Sequence, residues 1–132
     1  MRIRILVLGV SLLALVLPNP ADAAIEEFPV PTVDGFPFVI AAGPDGALWF
    51  TESSGEKIGR VTTSGSVSEF PITSPPDPFG NSVPVGIAAG PEGALWFTEF
   101  HTGAIGRSTT AGSMTTFDNP QDGGPQGIVG GP

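Results

Sequence analysis

Few residues in this chain can do chemistry. Its 132 residues include one His, no Cys, no Tyr, 5 Lys plus Arg and 13 Asp plus Glu. Without Cys there is no thiol nucleophile, no thiolate metal site and no disulfide framework. The only imidazole, His101, stands in the turn sequence Phe100-His101-Thr102-Gly103 with no acid beside it, which is weak support for a base. The acids that recur at a fixed place are Glu52 and Glu99. Each ends a Leu-Trp-Phe-Thr-Glu segment, and each precedes an Arg by eight residues, Arg60 and Arg107 respectively. Carboxylates so placed could serve as acid, base or metal ligand, and they are the two candidate catalytic residues. A feature present in every copy of a repeat is more often structural than catalytic, so ion pairs Glu52–Arg60 and Glu99–Arg107 are the first expectation. Asp45 and Glu92 fall in Gly-Pro-x-Gly turns. One carboxylate per turn is too few for a calcium site, so a turn-stabilising role is expected. Thr62, Thr63, Thr109 and Thr110 have no general base to activate them. No Gly-rich segment opens a helix to cradle phosphate. No metal ligand can be assigned from these residues.

The elements that must hold these side chains are set by an internal repeat. Pro37–Phe70 aligns without a gap on Pro84–Phe117 at an offset of 47, with 21 of 34 positions identical. A third copy opens at Pro125-Gln126-Gly127-Ile128. A period in the forties built from short strands indicates β-propeller blades. Within a copy, Ile87-Ala88-Ala89 reads as a first strand whose small residues suit the crowded propeller axis. Leu95 to Glu99 alternates as a second strand, with Trp96 and Thr98 on one face and Leu95 and Phe97 on the other. Ile105 to Thr109 and Met114 to Phe117 supply the third and fourth. Gly90-Pro91-Glu92-Gly93 is a tight turn with Gly at both ends, where positive φ is cheap. Trp49 and Trp96, at one repeat position, are expected to pack between blades rather than to stack on a ligand. The fold class is therefore all-β: two four-stranded blades and the start of a third. The segments run 37–83 for repeat 1, 84–124 for repeat 2 and 125–132 for the beginning of repeat 3, after a lead-in at 24–36.

The N-terminus reads as an address. Arg2 and Arg4 form a basic head, Ile5 to Leu17 an apolar run, and Ala21-Asp22-Ala23 a small-residue cleavage site. This is the layout of a secretory signal peptide spanning 1–23, cut after Ala23. The run is shorter than the roughly 20 residues a membrane-spanning helix needs. The expected product is secreted or periplasmic, with no membrane partner after cleavage. The formal net charge of −8 argues against nucleic acid, whose phosphates demand a basic surface. The 19 Gly and 15 Pro punctuate turns at fixed places in the repeat and do not signal disorder. Two blades leave strand edges and aromatic faces uncovered, so the chain is expected to be part of a larger ring, monomeric when complete.

The run Pro84-Val85-Gly86-Ile87-Ala88-Ala89-Gly90-Pro91-Glu92-Gly93-Ala94-Leu95-Trp96-Phe97-Thr98-Glu99, with Ile105-Gly106-Arg107 and Thr109-Thr110-Ala111-Gly112, closely resembles the virginiamycin B lyase (streptogramin lyase) family. The resemblance covers nearly all of 37–132. It implies a seven-bladed propeller and a Mg²⁺-assisted lyase that opens the ester of type B streptogramins, cyclic depsipeptides, by elimination. It also implies a catalytic His in a Pro-His-Gly-Ile element, a metal-linked Glu before that Pro, and a second Glu ending the next Trp-Phe-x-Glu strand. Here the His position is filled by Phe38, Val85 and Gln126, and the metal-Glu position by Phe36, Val83 and Gly124. Only the strand-end acid is matched, by Glu52 and Glu99. The chain is therefore expected to carry the scaffold without a complete catalytic set, and to show no lyase activity by itself. The alternatives are an exported propeller that binds a ligand or protein partner without chemistry, and, less well supported, a sugar-lactone hydrolase of another propeller family.

Overall fold

The computed structural model describes residues 2–6, 25–73, 81–119 and 123–131. The expected cleavage site at Ala23 and most of the apolar run before it lie outside the described residues, as does part of the Pro-rich linker between the repeats. Ten strands run in chain order: β1 Arg2–Leu6, β2 Ile25–Pro29, β3 Pro37–Ala42, β4 Leu48–Glu52, β5 Lys57–Val61, β6 Val67–Pro71, β7 Pro84–Ala89, β8 Ala94–Glu99, β9 Ile105–Thr109 and β10 Met114–Phe117. They form two antiparallel meanders, β3-β4-β5-β6 and β7-β8-β9-β10, and a two-stranded ribbon, β1-β2. Among the described residues no helix is long and apolar enough to cross a membrane.

Each meander is one blade, and the blades stack face to face. Side chains alternate along β4, so Trp49 and Phe50 leave on opposite faces. Trp49, with Ala47 and Ile58, meets Ile87, Leu95 and Phe97 of the second blade in one buried cluster. Phe50 and Val61 face the other way, where Val30 and Phe28 cover them. The first strands, β3 and β7, lie side by side. Two hydroxyls tie the blades at this seam: Thr51 Oγ1 donates to the Val85 carbonyl at 3.0 Å and Ser53 Oγ to the Pro84 carbonyl at 2.7 Å. Thr98 takes the equivalent place in the second blade and reaches the Gln126 carbonyl at 3.5 Å, so the start of the third repeat lies where a third first strand belongs.

The turn between first and second strands departs from expectation in one respect. Positive φ falls at its end, at Gly46 (75°) and Gly93 (63°), with Glu92 also left-handed at 60°. The leading Gly90 is extended at −131°. It is small for a different reason: a Cβ on Gly43 or Gly90 would collide with the indole of Trp49 or Trp96. The Gly of each Ile-Gly-Arg strand is explained the same way, since a Cβ on Gly59 or Gly106 would enter the ring of Phe50 or Phe97 opposite it. Gly59→Ala and Gly106→Ala are each expected to destabilise by about 1–3 kcal/mol through overpacking, read from urea unfolding.

Candidate functional site

The positions that the resemblance links to catalysis come together at one end of the seam. Phe36, Phe38, Ser53, Val83, Val85, Phe100 and Gln126 line a cavity of about 340 Å³. Two local devices put them there. β3 and β7 each carry a bulge, between Pro37 and Ile40 and between Pro84 and Ile87. An extra residue on one strand re-aims the side chains within it, here Phe38 and Val85. The residue just before each strand is left-handed, Phe36 at φ 53° and Val83 at φ 45°. A β-branched residue rarely adopts such a φ, and a residue before Pro normally prefers extended backbone. The corner is thus strained in both copies, a cost of order 1–3 kcal/mol each that tends to mark functional sites.

The lining is mainly apolar, with Ser53 and Gln126 its polar members. Phe36 and Phe38 remain 62% and 60% exposed, and no titratable side chain among the described residues borders the cavity. Glu52 and Glu99 do not reach it; both are fully buried within their blades. Their expected pairing with Arg does not occur. In the β4–β5 register Arg60 stands opposite Trp49, whereas Glu52 stands opposite Lys57, so strand alternation puts Glu52 and Arg60 on opposite faces. Arg60 instead meets Asp45 at 2.7 Å and lies over the Trp49 ring at 5.8 Å, and Arg107 meets Glu92 at 3.2 Å. Asp45 also accepts from Trp49 Nε1 at 3.0 Å and from the Ala47 N–H at 3.3 Å. Burial pulls the Asp45 carboxyl up, but the bonds from Trp49 and Arg60 outweigh it and hold it below its ordinary 3.8. The turn acid is therefore the true partner of both Trp and Arg, a role its neighbours in sequence do not reveal because Asp45 and Arg60 are joined only through the β4–β5 pairing.

The two buried glutamates differ. Thr102 and Thr116 donate to Glu99 at 3.2 and 3.5 Å. Around Glu52 those positions are Gly55 and Glu69. Lys57 donates to Glu69 at 2.9 Å and to Thr32 Oγ1 at 2.6 Å, and the Thr32 hydroxyl proton goes to Glu69 at 2.7 Å. Both Glu52 oxygens are left without a hydrogen-bond partner among the described residues. Burial pushes the Glu52 carboxyl above its ordinary 4.5, and the Glu69 charge adds to this against the pull of Lys57 and the nearby Thr32. Glu69, buried but bonded to Lys57 and Thr32, is held below 4.5.

His101 stands next to Phe100, their ring centroids 5.6 Å apart, and does not line the cavity. Trp49 is fully buried between the blades as expected, while Trp96 is half-buried on the second blade's outer face. No group of three or more His, Cys, Asp or Glu that could hold a metal ion occurs among the described residues.

Comparison with known proteins places this arrangement. The family model for the virginiamycin B lyase family matches residues 19–132. The virginiamycin B lyase of Bordetella pertussis is 48% identical over 46 residues, 35% of this chain and 15% of that protein. The enzyme of Mycolicibacterium smegmatis is 48% identical over 40 residues, 30% of this chain and 14% of that one. Among solved structures, a catalytically inactive virginiamycin B lyase from Staphylococcus aureus with quinupristin superposes with a TM-score of 0.76 and 42% identity. That match covers 83% of this chain and 36% of the other, so the chain spans about a third of the solved relative.

Proposed function

This chain belongs to the virginiamycin B lyase family, and from that premise we propose that it forms the apolar wall of a propeller site for a cyclic depsipeptide of the type B streptogramin class. The proton-abstracting and metal-holding groups then belong to other blades. One observation carries this reading. The corner positions that hold His and Glu in the family converge here on one cavity, but as Phe36, Phe38, Val83, Val85 and Gln126. Such a surface can bury an apolar or aromatic ring of a ligand, worth roughly 1.5–3 kcal/mol per ring. It cannot remove a proton.

Ester opening by elimination needs a base at an acidic C–H and a cation against the developing enolate. Mg²⁺, which the family implies, does not fit the residues present. Phe36, Val83 and Gly124 offer no side-chain oxygen, and Glu52 is sealed within its blade. The basic head, apolar run and Ala21-Asp22-Ala23 support export of the protein, and the propeller pattern supports a monomer when the ring is complete.

Titration calorimetry of the chain with a type B streptogramin, beside a ring-opening assay supplemented with Mg²⁺, tests the reading. The expected result is binding weakened about tenfold or more by Phe38→Asp, with no ring-opened product. Turnover by this chain would refute it. So would binding indifferent to Phe38→Asp. The second reading, a propeller that binds without chemistry, is favoured by the mainly apolar lining, which holds no titratable group among the described residues. Ring opening by a longer form of the protein would exclude it.

A further inference from the structure

The two strand-end glutamates share a repeat position but lie under different cover. Around Glu99 the second blade supplies two hydroxyls, Thr102 and Thr116. Around Glu52 the cover comes from the lead-in. The Glu52 carboxylate lies between Gly35 and Gly55, so close to Gly35 that a Cβ there would collide with Oε2. Both of its oxygens are without a hydrogen-bond partner among the described residues. The N–H groups above it are committed elsewhere. Gly35 donates to the Thr32 carbonyl at 3.4 Å. Ser54 and Gly55 donate to the Gly35 carbonyl and Ser53 to the Phe36 carbonyl, each at 3.1 Å. The lead-in is thus stitched to the turn after β4 by three main-chain bonds, directly over a buried carboxylate.

A second fastening holds the other end of this segment. The Thr32 N–H and hydroxyl donate to Glu69 at 2.8 and 2.7 Å. Lys57 Nζ donates to Glu69 at 2.9 Å and to Thr32 Oγ1 at 2.6 Å. Lys57 is also the residue opposite Glu52 in the β4–β5 register. Two carboxylates therefore compete for one ammonium and one hydroxyl proton, and Glu69 holds both. In the second blade the positions of Lys57 and Glu69 are Ala104 and Thr116, so that competition does not arise there. The charges that act on Glu52 are Glu69 on β6 and Lys57 on β5. β3 and β7, also packed against β4, carry no titratable side chain. In the adjoining loops Asp34 is exposed and Glu56 half-buried, and neither is among the groups that shift the Glu52 carboxyl.

Protonated, Glu52 tolerates this cover. Ionised, it is a charge short of donors in a closed space, which is costly. It can gain donors by drawing Lys57 and the Thr32 proton away from Glu69, or by admitting water under Gly35. Either route undoes a fastening. We propose that Thr32–Phe36 is a pH-released strap, clasped on the first blade while Glu52 is protonated and lifted when Glu52 is charged. Burial and the Glu69 charge raise the clasped-state carboxyl above 4.5, so the clasped state is favoured in acid and loses ground as pH rises through that raised value. Phe36 ends the strap and lines the cavity, so release withdraws an aromatic ring from the cavity wall whatever ligand the cavity takes.

Hydrogen exchange of single amides, corrected for the intrinsic rate at each pH, reads the strap directly. Ser53, Ser54 and Gly55 donate to it, whereas Phe100 makes the same bond in the second blade, to the Val83 carbonyl at 3.0 Å. In the full chain, protection of Ser53, Ser54 and Gly55 is expected to fall at least about tenfold between about pH 4.5 and about pH 7.5, with Phe100 changing less than about twofold. Glu52→Gln should abolish the fall. Thr32→Val cuts the clasp and leaves Glu52 in place, so it should lower protection of the three amides about tenfold already at about pH 4.5. A parallel fall at Phe100 would overturn the proposal, because it reports loosening of the whole fold. So would no fall at Ser53, Ser54 and Gly55, a fall retained in Glu52→Gln, or protection in Thr32→Val equal to that of the parent chain.

Discussion

Trp49→Ala is expected to remove about 3–5 kcal/mol of stability, the range for deleting a buried Trp. Trp96→Ala is expected to remove less than half of that. The two residues occupy one repeat position and are indistinguishable by local sequence, so the contrast isolates what the neighbouring blade contributes. Trp49 is fully buried, packs into the cluster that joins the blades and stacks on Phe70 at 5.6 Å. Its indole N–H is bonded to Asp45. Trp96 keeps the equivalent stack, on Phe117 at 5.5 Å, but its outer face looks onto a cavity beside Ile128 and Val129, and its buried Nε1 has no partner among the described residues. Glu92 replaces Asp45 there, is left-handed, and points its carboxylate toward Arg107 with 79% of the side chain exposed. Urea unfolding followed by circular dichroism measures both losses. The fluorescence of the intact variants supplies a check, since emission from Trp49 alone should be bluer than from Trp96 alone. Equal losses in the two variants would mean that the blades are not packed through Trp49.

Glu52→Gln is expected to abolish a fall in stability that the parent chain shows as pH rises from about 4.5. The sign follows from proton counting. The folded Glu52 carboxyl titrates above its ordinary 4.5 because burial and the Glu69 charge outweigh the pull of Lys57 and Thr32. Between 4.5 and the folded value the native state holds a proton that the unfolded state has released, so stability declines with pH across that window and stays lower above it. A full proton of difference corresponds to a slope of about 1.4 kcal/mol per pH unit. Asp45 and Glu69 act in the opposite sense. Their folded values lie below 3.8 and 4.5, so their contributions are present at higher pH and disappear as pH falls through the folded values. The parent chain should therefore be most stable in mildly acid solution, while the Gln variant should hold its stability toward neutral pH. Unfolding curves taken at half-unit pH steps decide this. A parent chain whose stability does not fall above 4.5, or a variant that falls as steeply, would show that Glu52 is solvated or bonded.

The strand-end acids show where local pattern stops being informative. Their recurrence, and the recurrence of an Arg eight residues later, made pairing the natural expectation. Spacing along a chain does not report which face of a strand a side chain leaves from once two strands are aligned. One step of register decides it, and here Glu52 faces Lys57 while Arg60 faces Trp49. The candidate cavity is a comparable case. The resemblance marked Phe36, Phe38, Val83, Val85 and Gln126 as positions of interest, but their convergence depends on bulges and left-handed corners that no local propensity announces.

Sequence by itself determined the blade. The offset of 47, the alternation of Leu95 to Glu99, the turn glycines and the Ile-Gly-Arg strands identify four strands per repeat, because each rests on contacts within some fifteen residues and is stated twice. Tertiary structure decided the status of residues that the repeat makes equal. Trp49 is core and Trp96 is half-open, and Glu99 is bonded and Glu52 is not. The reason is physical. Burial and hydrogen bonding depend on what covers a face, and in a stacked array that cover comes from the next unit, so identical repeats acquire different chemistry from their neighbours.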